Sequence, residues 1–131
     1  MEAKITKIGR ELLCKAHAGD ATLSPITYIA LGSGGCQEGI PAEVTGNETA
    51  LKAELLKKEI TSHQYKEEAT GETVKVKMQY TVVLAEEELA DTKISEAGLV
   101  DAEGNLIAYL TFLEKGKDQG MEFTFHIDEI F

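Results

Sequence analysis

The sequence predicts an α+β fold, an N-terminal amphipathic helix packed on a mostly antiparallel β-sheet or sandwich of about five to six strands. Three observations lead there. Ile5, Ile8, Leu12 and Ala16 fall in one stripe at helical spacing. From Thr73 to Leu84, Val74, Val76, Met78, Tyr80, Val82 and Leu84 alternate with Thr73, Lys75, Lys77, Gln79 and Thr81, the period of a half-buried strand. Between two apolar runs stands Asp101-Ala102-Glu103-Gly104, with Asp at the first and Gly at the fourth place of a type I turn.

In chain order, a helix is expected from about Lys4 to Ala18, closed by Gly19 as a left-handed cap. Gly9 lies on the apolar stripe, where glycine is about 1 kcal/mol worse than alanine, so it implies close backbone approach to a neighbour. Ile26 to Leu31 reads as a short strand after Pro25, and Gly32 to Asn47 as a long glycine-rich loop. Thr49 to about Glu54 reads as a helical turn capped by Asn47, and residues 55–84 as one long hairpin turning at Thr70-Gly71. Glu86 to Ala90 reads as an acidic half-turn of helix. Ile94–Val100 and Leu106–Leu113 form a second hairpin around Asp101–Gly104, and its second strand is apolar on both faces and hence central. Met121 to Asp128 alternates once more as the last strand.

The 131 residues fit a single domain, 1–131, in which roughly two thirds of the unfolded surface is buried and about 6,800 Å² stays exposed. Thirteen basic against 23 acidic side chains give a formal net charge of −10. That excess argues against nucleic acid as a partner, since a phosphate-binding surface needs net cation, and against an anionic membrane surface. No apolar run is long enough for membrane insertion, and the opening residues lack the apolar stretch of a signal peptide. Two cysteines, Cys14 and Cys36, make no disulfide framework, so synthesis in the cytoplasm with reduced thiols is expected.

No residue pattern carries catalysis or a cofactor, and no metal site is assigned. Cys14 and His17 lie three apart on a helix, but Cys36, His63 and His126 add no zinc-type spacing. Gly32-Ser33-Gly34-Gly35 follows a strand as a phosphate cradle would, yet lacks the Lys-Ser/Thr ending and an opening helix. Residues 84–104 hold seven carboxylates and one lysine, a net of −6, without the twelve-residue calcium pattern. A second functional reading, a small ligand-binding or hydrolytic module, would use the glycine-rich loop 32–39 with Ser33 and Cys36.

Two stretches carry a resemblance. Ile5-Thr6-Lys7-Ile8-Gly9-Arg10-Glu11-Leu12-Leu13, then Ala16, Ala18-Gly19 and Ile29-Ala30-Leu31-Gly32, resemble the start of the phage tail-collar fibre family. Ile94-Ser95-Glu96-Ala97-Gly98-Leu99-Val100-Asp101-Ala102-Glu103-Gly104-Asn105-Leu106-Ile107-Ala108 is similar to that family's second signature. The resemblance implies a non-enzymatic structural component of a phage, prophage or phage-derived tail, a fibre or collar module that attaches to the baseplate and ends up in the virion tail. Other tail or baseplate proteins are the implied partners, with threefold or sixfold copies as tail symmetry suggests. Under this reading Gly9, Leu12, Gly32, Glu96, Gly98, Asp101, Gly104 and Asn105 form a structural motif. Ile5, Ile8, Phe123, Phe125 and Phe131 would supply a packing or assembly surface.

Overall fold

A computed structural model describes residues 1–131. Ten strands and one helix follow in order: β1 (Glu2–Ile5), α1 (Lys7–His17), β2 (Ile26–Gly32), β3 (Cys36–Gln37), β4 (Ile40–Pro41), β5 (Glu54–Glu59), β6 (Ser62–Thr70), β7 (Thr73–Leu84), β8 (Thr92–Asp101), β9 (Leu106–Lys117) and β10 (Phe123–Ile130). Eight strands form one sheet in the order β5-β2-β8-β9-β1-β10-β7-β6, and β3 and β4 make a small separate hairpin.

This overturns the expected α+β class. The protein is mostly β, 55% strand and 8% helix, and its one short helix accompanies a large curled eight-stranded sheet. The helix was expected to start at Lys4 because Ile5 fits its apolar stripe. Instead Thr6 ends a strand and caps the helix, accepting a hydrogen bond from the Gly9 N–H at 3.1 Å. The Thr6 hydroxyl is buried and donates to the Leu106 carbonyl at 2.6 Å, so the same residue fixes the helix start to β9. A four-residue strand is too short to show alternation. β1 also changes neighbour halfway, with Glu2 and Ala3 parallel to β10 and Lys4 and Ile5 antiparallel to β9.

Residues 55–84 are not one hairpin. β6 and β7 pair along their length, but β5 runs antiparallel to β2 at the opposite edge of the sheet. The two edges are consecutive in the chain, separated by Ile60 and Thr61. The Ile60 N–H donates to the Thr27 carbonyl on β2 and the Thr61 N–H to the Thr81 carbonyl on β7, so the passage draws the sheet's edges together. Curling gives the sheet an inside. Ile29, Leu31, Val82, Leu84, Ile94, Leu99, Phe125 and Ile127 fill it, all buried. A smaller cluster, Ala30, Leu51, Val100, Leu106 and Tyr109, lies on the outer face under the chain between β4 and β5.

The distal half of β6–β7 projects past β10, whose pairing with β7 stops at Lys77. Val74 there is 55% exposed although it continues the apolar row of β7. The surface of 7536 Å² exceeds the roughly 6,800 Å² of a compact chain this size, and this arm is one reason. On β9 the expected two-sided burial also ends early: Tyr109 is buried but Leu113 is largely exposed. Neither expected short helical segment forms. Residues 49–53 are an irregular stretch whose Lys52 and Ala53 N–H groups go to the Glu96 side chain of β8, and 86–90 is a run of turns, with Leu89 and the following Asp91 at positive φ. Two buried or half-buried lysines find acceptors there, Lys117 donating to the Glu86 carbonyl at 2.9 Å and Lys58 to the Glu88 carboxylate.

Candidate functional site

Two constellations of polar side chains lie against the sheet. The first centres on Glu96 of β8, a wholly buried carboxylate. Its Oε1 accepts from the Lys52 N–H at 2.9 Å and the Tyr109 hydroxyl at 2.7 Å; its Oε2 accepts from the N–H groups of Gly34 and Ala53, both at 2.8 Å. Burial by itself would raise this carboxyl's pKa, but the Tyr109 hydroxyl and the three backbone donors outweigh it and hold it below its ordinary value. Tyr109 is pushed upward by burial and by the carboxylate it bonds. Next to Glu96, the Ser95 hydroxyl accepts from the Gly35 N–H at 2.9 Å.

The loop after β2 is therefore fastened to the sheet, where the sequence shows only a run of glycines. Those glycines make the approach possible. A Cβ on Gly32 would lie 2.5 Å from the Ala53 carbonyl and 2.6 Å from Glu96 Oε2, and one on Gly35 would collide with the Ser95 backbone. Further along, the Thr111 hydroxyl donates to the Ala42 carbonyl at 2.6 Å and the Cys36 thiol to the Phe112 carbonyl at 3.3 Å. The N–H groups that a phosphate would need at Gly34 and Gly35 are occupied by Glu96 and Ser95, which argues against the ligand-binding reading of loop 32–39.

The remaining motif residues are brought to the same half of the sheet. Gly98 sits where a Cβ would run into the Leu106 and Leu51 side chains. Asp101 closes the β8–β9 turn: its Oδ1 accepts from the N–H groups of Glu103 at 3.0 Å and Asn105 at 2.8 Å, and its Oδ2 from the Asn105 side chain at 3.1 Å. Gly104 takes φ of 91°, and its N–H bonds the Asp101 carbonyl. Gly9 packs on β9, where a Cβ would stand 2.5 Å from the Ile107 carbonyl.

The expected surface residues separate. Phe125 is buried in the core, with Phe123 edge-on to it at 6.2 Å between ring centres and Phe112 tilted at 6.1 Å. Ile5, Ile8 and Leu12 are half-buried, while Phe131 is 55% exposed. Cys14 and His17 stay on the exposed side of α1, and no three His, Cys, Asp or Glu side chains converge as a metal set.

The second constellation had no sequence signal beyond its place in an alternating strand. Glu129 follows Phe125 and Ile127 on the inward row of β10, a position the pattern assigns to an apolar side chain. Only 5% exposed, it lines a pocket of about 340 Å³ between α1 and the end of the sheet, with Leu12, Leu13, Ile26, Tyr80, Ile107 and Phe131. Burial pushes its carboxyl up to about 7, and no donor or cation offsets that. Burial and the facing carboxyl raise the Tyr80 hydroxyl to about 12. Every fully enclosed side-chain polar atom has a hydrogen-bond partner, whereas the Glu129 carboxyl opens onto the pocket.

The most elaborate polar site of the curled sheet thus bonds the protein's own backbone. The chain belongs to the phage tail-collar fibre protein family: the family model described as phage tail-collar fibre protein, N-terminal, matches residues 1–124. It is a structural protein of a phage tail, associated with other tail components in the virion. No curated protein and no solved structure matches it. No helix is long and apolar enough to cross a membrane.

Proposed function

We propose that residues 1–131 act as one non-catalytic domain that attaches a tail fibre to the baseplate, in threefold or sixfold copies after synthesis in the host cytoplasm. The family match over residues 1–124 carries this reading. What supports it in the geometry is the use of the motif residues. Glu96, Gly32, Gly98, Asp101, Gly104, Asn105, Gly9 and Leu12 serve to hold loops and the helix on the sheet, which keeps an assembly surface in shape. Phe131 and the half-buried Ile5 and Ile8 remain for contact with neighbours, while Phe123 and Phe125 serve internal packing. Imaging of tail particles with gold-labelled antibody to this chain tests the placement, and light scattering of the purified chain tests the copy number. Label at the baseplate–fibre junction and a trimer or hexamer are expected; label elsewhere along the tail refutes attachment.

A further inference from the structure

The pocket beside Glu129 is the one place where the fold leaves a buried ionisable group without a partner. Its apolar walls include Leu12 and Leu13 of α1, Leu23 and Ile26 at the entry to β2, Ile107 of β9, and Phe131 after β10. At about 340 Å³ it is within the size of small-ligand sites and far larger than a single water. Tyr80 and Asp101 are its other titratable side chains, and no lysine, arginine or histidine side chain lines it. Asp101 spends its oxygens on the β8–β9 turn. An apolar cleft with one unpaired carboxyl is the chemical complement of an aliphatic chain ending in a cation.

We propose that this pocket binds an aliphatic ammonium, and that its natural occupant is a lysine side chain on a segment of another tail protein. The methylene stem lies against Leu12, Leu13 and Ile107, and the ammonium pairs with Glu129. The partner being a tail protein rests on the family; the cation site rests on the pocket and stands apart from baseplate attachment. The half-buried state of Leu12 and Leu13 on α1 is explained in the same way, since the occupant would complete their cover.

The test uses the whole chain and hexylammonium chloride as the probe, with hexanol as the uncharged control. At about pH 8, where a carboxyl titrating near 7 is ionised, saturating hexylammonium is expected to raise Tm by a few degrees, and hexanol by clearly less. In Glu129→Gln, which keeps the shape and removes the charge, that difference is expected to vanish. Amide shifts in NMR should move at Leu12, Leu13 and Glu129 and not at the distal Gly71, which locates the probe without any variant. Equal effects of the two probes, or shifts elsewhere, overturn the cation site. Self-association of the chain that hexylammonium dissolves would put the lysine on a second copy and overturn the assignment to a different protein.

Discussion

Replacing Glu96 tests whether one carboxylate holds the loop between β2 and β5 on the sheet. Its two oxygens accept four hydrogen bonds, from Gly34, Lys52, Ala53 and Tyr109. In Glu96→Gln one oxygen becomes an NH₂ group. If it takes the Oε1 place, the Tyr109 hydroxyl can rotate and accept, but the Lys52 N–H then faces a donor. In the Oε2 place it opposes two backbone donors, so the first arrangement is preferred. One backbone N–H stays unpaired, at about 1–3 kcal/mol, and the other bonds lose their charge assistance, giving about 2–4 kcal/mol in all. Glu96→Ala removes all four bonds and leaves a cavity, which makes it about 4 kcal/mol or more, a large share of the ~5–15 kcal/mol typical of a domain. Urea unfolding with an unchanged m-value measures these losses, and thermal melting should fall by ~3–5 °C per kcal/mol. Hydrogen exchange adds a local readout, because the amides of Gly34, Lys52 and Ala53 should lose protection before those of β8. A Glu96→Gln variant within about 1 kcal/mol of the parent, with those amides still protected, would refute the reasoning.

Glu129 gives stability an unusual pH profile. With its carboxyl moved from 4.5 to about 7, the folded state holds a proton the unfolded chain has released, so this contribution is whole below 4.5 and lost as pH rises through 7. The loss is about 3 kcal/mol, and denaturant titrations from pH 5 to 8 should show it in the parent and not in Glu129→Gln. Glu96 acts in the opposite direction, its contribution being present above 4.5 and lost as pH falls below it. At Gly104 a Cβ meets nothing within 4 Å, so Gly104→Val should cost mainly the strain of φ 91°, about 1–2 kcal/mol in a melt; an unchanged Tm would dissociate the turn from stability. Leu12→Ala, at a half-buried position on the pocket wall, should cost about 1–2 kcal/mol rather than the 2–5 kcal/mol of a sealed leucine, again by denaturant titration.

Strands with long alternation were legible from residues alone, because period two needs no partner to be seen: β7, the β8–β9 hairpin and β10 stand close to where the pattern puts them. β1 was hidden because its four residues blend into the helical period of Ile5, Ile8 and Leu12, and only the Thr6 cap separates them. β5 and β6 were merged because local sequence says nothing of which edge a strand joins. The polar site was half legible. The family motif contains Glu96, yet its donors at 34, 52, 53 and 109 are brought together only by tertiary folding, three of them as backbone groups that carry no residue code. Glu129 was invisible for a simpler reason. An acidic residue just past the alternating stretch reads as solvent-facing, and only the continuation of β10 to Ile130 keeps it on the inward row of Phe125 and Ile127.

The divided pairing of β1 has a mechanical consequence. The strand lies between β10 and β9 and bonds one with its first half and the other with its second. Tension applied along it from Met1 therefore loads both sets of bonds in shear, and neither neighbour can peel away one bond at a time. Four residues thus act as a rivet between a half-sheet of β10, β7 and β6 and another of β9, β8, β2 and β5. Across the curl, the second fastening is the crossing at Ile60 and Thr61, where the two half-sheets are also held by backbone bonds. A shell clamped on opposite sides yields by opening at one clamp and swinging about the other. Under load the domain would gape rather than unravel, and it could close again once the load was removed.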